Sequence, residues 1–288
     1  VVVVIHDSAA ELQRLLDSVA RHLAVRPQVV VVDNASADGG GELARAWGAD
    51  VVAMPANAGF GAANNAGLAL VAAPVTALVN PDVELLDDGL ARLAQVAAAR
   101  GALVAPRLLN RDGSVQRSAH PRPGTIESLL PALLPPALMP PALRLRADPW
   151  RATAPRRVGW AIGACLVAPT ATLRRLGPFD PDLFLFYEDL DLCLRAASAG
   201  IATELHPEVS LRHAGAHSTT RAYGGEPHEQ IARRRREVVE RDLGRPALRI
   251  DDTAQAITFA TRALAGRALG RDARREAAQL RALLAARR

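Results

Sequence analysis

The opening rhythm of this chain constrains its fold more than any other feature. Over the first hundred residues, short apolar runs alternate with amphipathic stretches. The runs Val1–Ile5, Val29–Val32, Val51–Ala53, Val75–Val79 and Ala102–Ala105 are too short for helices and apolar on both faces. Helices are predicted between them, from Ser8, placed to cap, to about Leu23, then Gly40–Trp47, Ala62–Ala72 and Leu86–Ala99. Strands buried on both faces and joined by helices pack as a parallel sheet covered on each side. The fold class is therefore α/β, a mostly parallel Rossmann-like sheet flanked by helices. In such sheets ligands collect beyond the carboxyl ends of the strands, so chemistry is sought just after each one.

From about residue 106 the rhythm breaks. Gly113 marks a turn, 121–149 is proline-rich, paired strands are expected near 158–168, and a helix covers Glu188–Ala199. Beyond Gly225 the chain reads as helices, with a basic run Arg233–Arg236 and apolar Leu280, Leu283 and Leu284. All 35 basic residues are arginine, which excludes a Schiff-base lysine and a P-loop lysine. Residues 221–288 hold 16 arginines against nine acids, whereas the rest holds 19 against 21. A tail so charged suits an anionic surface, or is simply a solvated helical face. Nucleic acid is not an expected partner, because interleaved aromatics and a reading motif are both missing. Cys165 and Cys193 have neither metal-ligand spacing nor a disulfide framework, which suits a reducing, cytoplasmic compartment. The opening strand shows no charged leader or cleavage site. The nearest approach to a membrane span, Ile126–Leu145, is interrupted by five prolines.

Polar groups stand at each strand end. Asp33, after the second strand, suits a base or ribose at the sheet crest, or an Asx turn before the next helix. The loop Asn57-Ala58-Gly59-Phe60-Gly61 leads into a helix whose positive end points back at it, with Asn64 where a dinucleotide fingerprint has its third glycine. Asn80-Pro81-Asp82 follows the fourth strand, where a carboxylate can hold a divalent cation on phosphate oxygens, or simply form a proline turn. Three acids, Glu188, Asp189 and Asp191, fall within four residues beside Phe184, Phe186 and Tyr187. Acids suit a helix's first turn; three of them, partly buried, also raise one pKa toward that of a general base. His213 and His217 follow a late strand, and His213 can offer a nitrogen to the same cation as Asp82.

Taken in order, VDNAS at 32–36, NAGFGAANNAG at 57–67, NPDV at 80–83, GACLVAPTATLRRLGPFD at 163–180, FYEDLDLCLR at 186–195 and the His213–Ser218 segment resemble the family-2 inverting glycosyltransferases of GT-A fold. The bacterial rhamnosyltransferase-like subgroup is the nearest in pattern. The resemblance implies a GT-A catalytic domain over 1–222, with a nucleotide-sugar half at 1–105 and an acceptor half at 106–222. A basic helical extension then covers 223–288. It implies that Asp33 contacts the nucleoside, that Asn57, Gly59, Gly61, Asn64 and Asn80 line the donor pocket, and that Asp82 and His213 hold Mg²⁺ or Mn²⁺. Asp189 would deprotonate the acceptor hydroxyl, supported by Glu188 and Asp191. The implied donor is a dTDP- or UDP-sugar, dTDP-rhamnose first. The implied acceptor is a cell-envelope glycan or polyprenyl-diphosphate-linked sugar at the inner face of the plasma membrane, and a homodimer is left open. Two departures stand out: Asn80 replaces the first acid of the usual Asp-x-Asp, and Ile5-His6-Asp7 replaces an Asn-Tyr-Asn-like triplet, which leaves His6 as a donor contact on position alone. The alternative is a catalytically silent sugar-nucleotide binder or partner subunit. A nucleotide-binding oxidoreductase is not expected, since His6-Asp7-Ser8 stands where a glycine fingerprint would.

Overall fold

The computed structural model describes residues 1–134, 138–177, 179–215 and 226–287. Contacts divide the chain into two compact units, Val1–Ala119 with Ala152–Ser218, and His120–Arg151 with Thr219–Arg288. In the first unit the strands are β1 (Val2–Ile5), β2 (Val30–Asp33), β3 (Asp50–Ala53), β4 (Val75–Val79), β5 (Val83–Leu85) and β6 (Leu103–Leu109). After the short β7 (Ala119–His120) come β8 (Arg156–Val158), β9 (Trp160–Ala161), β10 (Cys165–Pro169) and β11 (Thr203–His213). The helices are α1 (Ala9–His22), α2 (Gly40–Trp47), α3 (Phe60–Ala69) and α4 (Gly89–Arg100), then α7 (Thr170–Leu176) and α8 (Glu188–Ser198). The second unit holds α5 (Ile126–Leu133), α6 (Pro141–Ala147) and two long C-terminal helices, His228–Ala268 and Arg274–Ala286.

The main sheet runs β3-β2-β1-β4-β10-β6-β11-β5, with β8 beside β11. Strands β1 to β4 are parallel, as their apolar runs predict. The strands expected to pair near 158–168 instead separate. β8 pairs antiparallel with β11, and β10 inserts antiparallel between β4 and β6. An apolar run does not encode its own direction, so the insertion is invisible to periodicity. The core is aliphatic, with Val3, Ile5, Leu12, Leu16, Val31, Leu93, Val104 and Val167 at or below 2% exposure. Burial of each such side chain contributes about 1.5–3 kcal/mol.

Ser8 occupies the first helix's cap position but does not cap it. Its hydroxyl donates to the His6 carbonyl at 3.0 Å, and the Ala9 N–H is taken by Asp38 at 2.7 Å. In the second unit, the helix His228–Ala268 bends at Gly244, with φ +80°, just before Pro246. The basic run is internally paired. Arg235 forks onto buried Asp251 through Nε and Nη2, each at 2.8 Å, Arg236 bonds Asp252, and Arg233 and Arg234 pair with Glu229 and Glu237. No helix among the described residues is long and apolar enough to cross a membrane. Cys165 and Cys193 are buried free thiols.

Candidate active site

Parallel strands end, and antiparallel strands begin, on one edge of the sheet. Ile5 lies beside Asp33, Val79 beside Cys165, and Val83 beside His213. The loops leaving these positions make a single crest.

At its β1–β2 end, Asp33 accepts the Ser36 N–H at 2.9 Å, so one of its oxygens serves the Asx turn. The His6 ring nitrogen lies 2.9 Å from the Asn34 carbonyl, on an exposed side chain. Buried Asn34, which lies within VDNAS but has no role under the resemblance, ties the crest to the glycine loop. Its amide donates to Asn57 at 2.8 Å and accepts the Ala58 N–H at 2.9 Å. Asn57 in turn accepts the Gly59 N–H at 3.0 Å, so it shapes the loop from within. Gly59 has φ +86° and ψ 167°, and a Cβ there would lie 2.4 Å from the Phe184 carbonyl oxygen. Phe60 N–H bonds that same carbonyl at 2.9 Å, and Gly61 packs on Phe179. Asn64 departs from its expected place in the donor pocket. It is 2% exposed and spends its amide on the Phe60 carbonyl one turn back in α3. Its neighbour Asn65 instead grips Phe179 N–H and C=O, at 3.1 and 2.9 Å.

At the β4 end, the Asn80 N–H donates to Ala164 at 2.9 Å, and its side-chain oxygen is buried without a hydrogen-bond partner. Asp82 accepts the Gly215 N–H at 3.0 Å, and its other oxygen lies 3.3 Å from His213 Nε2. Burial works to raise the Asp82 pKa, but the His213 bond and charge and the Gly215 N–H outweigh it, so the carboxyl is held below its ordinary value. Among the described residues no three His, Cys, Asp or Glu side chains converge as a metal cluster. What this crest offers is one carboxylate, one imidazole and an orphan amide oxygen. That donor set suits a hard or borderline divalent cation whose remaining positions go to ligand oxygens. Asp82 also walls a cavity of about 540 Å³ with Glu11, Arg14, Arg111 and Arg212. A larger cleft of about 710 Å³ lies among the C-terminal helices and contains none of these residues. His217 and Ser218 lie outside the described residues.

The acidic cluster opens α8. Phe186 and Tyr187 are both left-handed, φ +74° and +64°, which costs about 1–3 kcal/mol each for non-glycine residues and is typical of functional loops. Asp189 accepts the Gly163 N–H at 2.8 Å and the Leu190 N–H at 2.7 Å. Burial pushes its pKa up to about 6, partly offset by those two donors. Glu188 is pushed up to about 8, by burial and then by the charge of Asp189, and one of its buried oxygens has no partner. Asp191 points elsewhere. It is fully buried and accepts from Arg195 Nη2 at 2.6 Å, while Nη1 of that arginine donates to both the Leu176 and Gly177 carbonyls. Asp191 therefore fastens α8 to the end of α7 and does not stand beside Asp189 at the crest. Gly163 holds Asp189 while Ala164 holds Asn80, so both acidic segments attach to one two-residue turn.

Residues 1–151 match Glycosyl transferase family 2. The chain belongs to that family. This family-2 glycosyltransferase is 29% identical over 244 residues to an N-acetylglucosaminyl-diphospho-decaprenol L-rhamnosyltransferase of Mycobacterium tuberculosis, covering 77% of each chain. Among solved structures it is similar to the mannosyltransferase PcManGT of Pyrobaculum calidifontis in complex with GDP-Man and Mn²⁺. That match has a TM-score of 0.62 at 18% identity, over 99% of this chain and 84% of the other. It is also similar to GalNAc-T7 with UDP, GalNAc and Mn²⁺, with a TM-score of 0.59 at 19% identity, over 83% of this chain and 47% of that one. These likenesses establish the GT-A fold, and family membership makes the chain a nucleotide-sugar-dependent glycosyltransferase.

Proposed function

We propose that this enzyme transfers L-rhamnose from dTDP-rhamnose, with inversion, onto a polyprenyl-diphosphate-linked sugar in cell-envelope glycan assembly on the cytoplasmic side of the membrane. The named activity of the mycobacterial relative supports the donor and acceptor class. The observation that carries the chemistry is the shared turn, which hangs Asp189 from Gly163 and the Asn80–Asp82 segment from Ala164.

Asp189 accepts the acceptor hydroxyl proton as that oxygen bonds the anomeric carbon, and the bond from that carbon to the diphosphate oxygen breaks with its electron pair leaving on the diphosphate. With its pKa lifted to about 6, Asp189 is ionised at neutral pH yet basic enough to help. Glu188, neutral at pH 7, adds no second charge beside it. Asp82 and His213, with the Asn80 amide oxygen nearby, would hold Mg²⁺ or Mn²⁺. Such a cation, when bound, neutralises charge on the departing diphosphate. Asp33 and His6 would meet the nucleoside, and the Asn57–Gly61 loop would wall the donor. Asp191 serves as a positioning residue through Arg195.

The test is donor turnover with acceptor in wild type and Asp189→Asn, after ranking dTDP-, UDP- and GDP-sugars by thermal shift with and without Mn²⁺. Asp189→Asn is expected to bind donor normally and lose about 10²–10⁴-fold in rate, while wild-type rate rises through about pH 6. Equal rates in the two proteins would remove Asp189 from the chemistry. A preference for UDP- or GDP-sugars would remove the rhamnose assignment and leave the mechanism.

A further inference from the structure

We propose that the 110–116 hairpin carries a one-way chain of hydrogen bonds that fixes His213 with a hydrogen on Nδ1 and turns its Nε2 toward Asp82. The use of this arrangement rests on the cation reading above; its geometry does not.

The direction follows from a single group that can only accept. Asp112 sits exposed at the hairpin turn, and its Oδ1 receives the Ser114 hydroxyl at 2.6 Å and the Ser114 N–H at 2.9 Å. Those bonds hold its carboxyl below the ordinary range, and an ionised carboxylate has no proton to give. The one hydroxyl proton of Ser114 is thereby committed, so Ser114 Oγ receives from its other neighbour. That neighbour is the Asn110 amide nitrogen at 2.9 Å. With its NH₂ turned toward Ser114, Asn110 presents its oxygen to Gln116, whose amide nitrogen donates at 3.3 Å. Gln116 then has its oxygen directed at His213 Nδ1, 2.8 Å away, and an amide oxygen can only accept. Nδ1 must carry the hydrogen. Nε2 is thereby turned to Asp82 Oδ1, 3.3 Å away.

Nε2 and Asp82 Oδ1 thus face each other, and a divalent cation taken up between them would displace any proton they share. The other Asp82 oxygen is already held by Gly215 N–H, which limits how far the carboxylate can turn away. The relay therefore presets the ligand pair for a cation, in the way an outer hydrogen-bond partner orients a metal-binding histidine. The backbone keeps the relay in place. Asn110 N–H bonds Ser114 C=O at 2.8 Å, Gly113 N–H bonds Asn110 C=O at 3.0 Å, and Gln116 N–H bonds Leu108 C=O at 2.8 Å. None of the four relay residues belongs to a motif of the family resemblance, and sequence spacing alone gives no hint that residue 116 meets residue 213.

The experiment uses metal-free, ¹⁵N-labelled protein of this whole chain at pH 8. Long-range ¹H–¹⁵N spectra report the His213 tautomer, with the signal assigned by loss in His213→Gln, and Mn²⁺ affinity is measured in parallel by electron paramagnetic resonance. Wild type is expected to show the Nδ1–H form. Gln116→Leu is expected to shift His213 to the Nε2–H form and to weaken Mn²⁺ binding by about 10-fold or more. Gln116→Glu, which keeps an acceptor at that point, should retain the wild-type tautomer. Asp112→Asn, on the exposed turn, should yield a mixture because an amide there can donate as well as accept. A wild-type His213 without a hydrogen on Nδ1, or an unchanged spectrum in Gln116→Leu, overturns the relay. An Nδ1–H signal in a protein that binds no Mn²⁺ upholds the relay and sinks the cation reading instead.

Discussion

Glu188 and Asp189 are adjacent, yet their surroundings send them to different charge states. Asp189 has two backbone donors and Glu188 has an unpartnered buried oxygen. The difference has a consequence for stability. With the folded pKa of Glu188 near 8 and an ordinary value of 4.5, the native state holds a proton that the unfolded chain releases between those limits. Stability therefore falls as pH rises through that window, by at most about 1.4 kcal/mol per pH unit for one proton. In a domain of this size that is a few degrees of melting temperature per unit. Thermal melts between pH 6 and 8 should slope downward in wild type and flatten in Glu188→Gln, and parallel slopes would contradict the assignment. The acid cluster was legible as three acids in four residues, and the His213–Asp82 encounter followed from both standing at strand ends. The inward turn of Asp191, the helix-bound amide of Asn64 and the bridging role of Asn34 were not. Each depends on which way a side chain rotates, and residue type alone leaves that undetermined.

At the scale of elements, the glycine loop and the segment before α8 behave as one piece. Gly59 adopts a backbone region that only glycine occupies at low cost, and it does so with the Phe184 carbonyl pressed against its missing Cβ. Gly59→Ala should lower the melting temperature by several degrees and weaken donor binding about 10-fold or more, read by thermal shift with and without nucleotide-sugar. Wild-type values for both would show that the contact is dispensable. The strands and helices of the first hundred residues were legible because burial on two faces leaves continuous apolar runs. The place of β10 was not, since a reversed strand in the middle of a sheet is as apolar as its parallel neighbours. β6 likewise reached further than its apolar core suggested, to Leu109, where the relay hairpin begins.

Over the whole molecule, positive charge is concentrated in the last 68 residues, but less of it is available than the sequence suggests. The run Arg233–Arg236 is consumed by ion pairs. The remaining concentration is at the corner joining the last two helices. There Arg267, Arg271, Arg274 and Arg281 line a cleft of about 380 Å³ with Asp272, and Leu264 and Leu269 are exposed nearby in sequence. Arginines near an anionic bilayer contribute about 1 kcal/mol each. If this corner docks on the membrane, Arg267→Glu with Arg271→Glu should lower flotation with anionic vesicles several-fold, more at low salt, and leave donor binding intact. Equal flotation would place any membrane contact elsewhere.

The reversed strand in the middle of the sheet also dictates an order of assembly. A ribosome that has released residues 1–151, the stretch that matches the family, has made both sides of a slot between β4 and β6 but not the strand that fills it. Until Cys165–Pro169 emerges, two apolar edges stay unzipped, and a chain cut at residue 151 keeps them open for good. The signature stretch is therefore not a module that can close itself; it waits for its keystone to be translated.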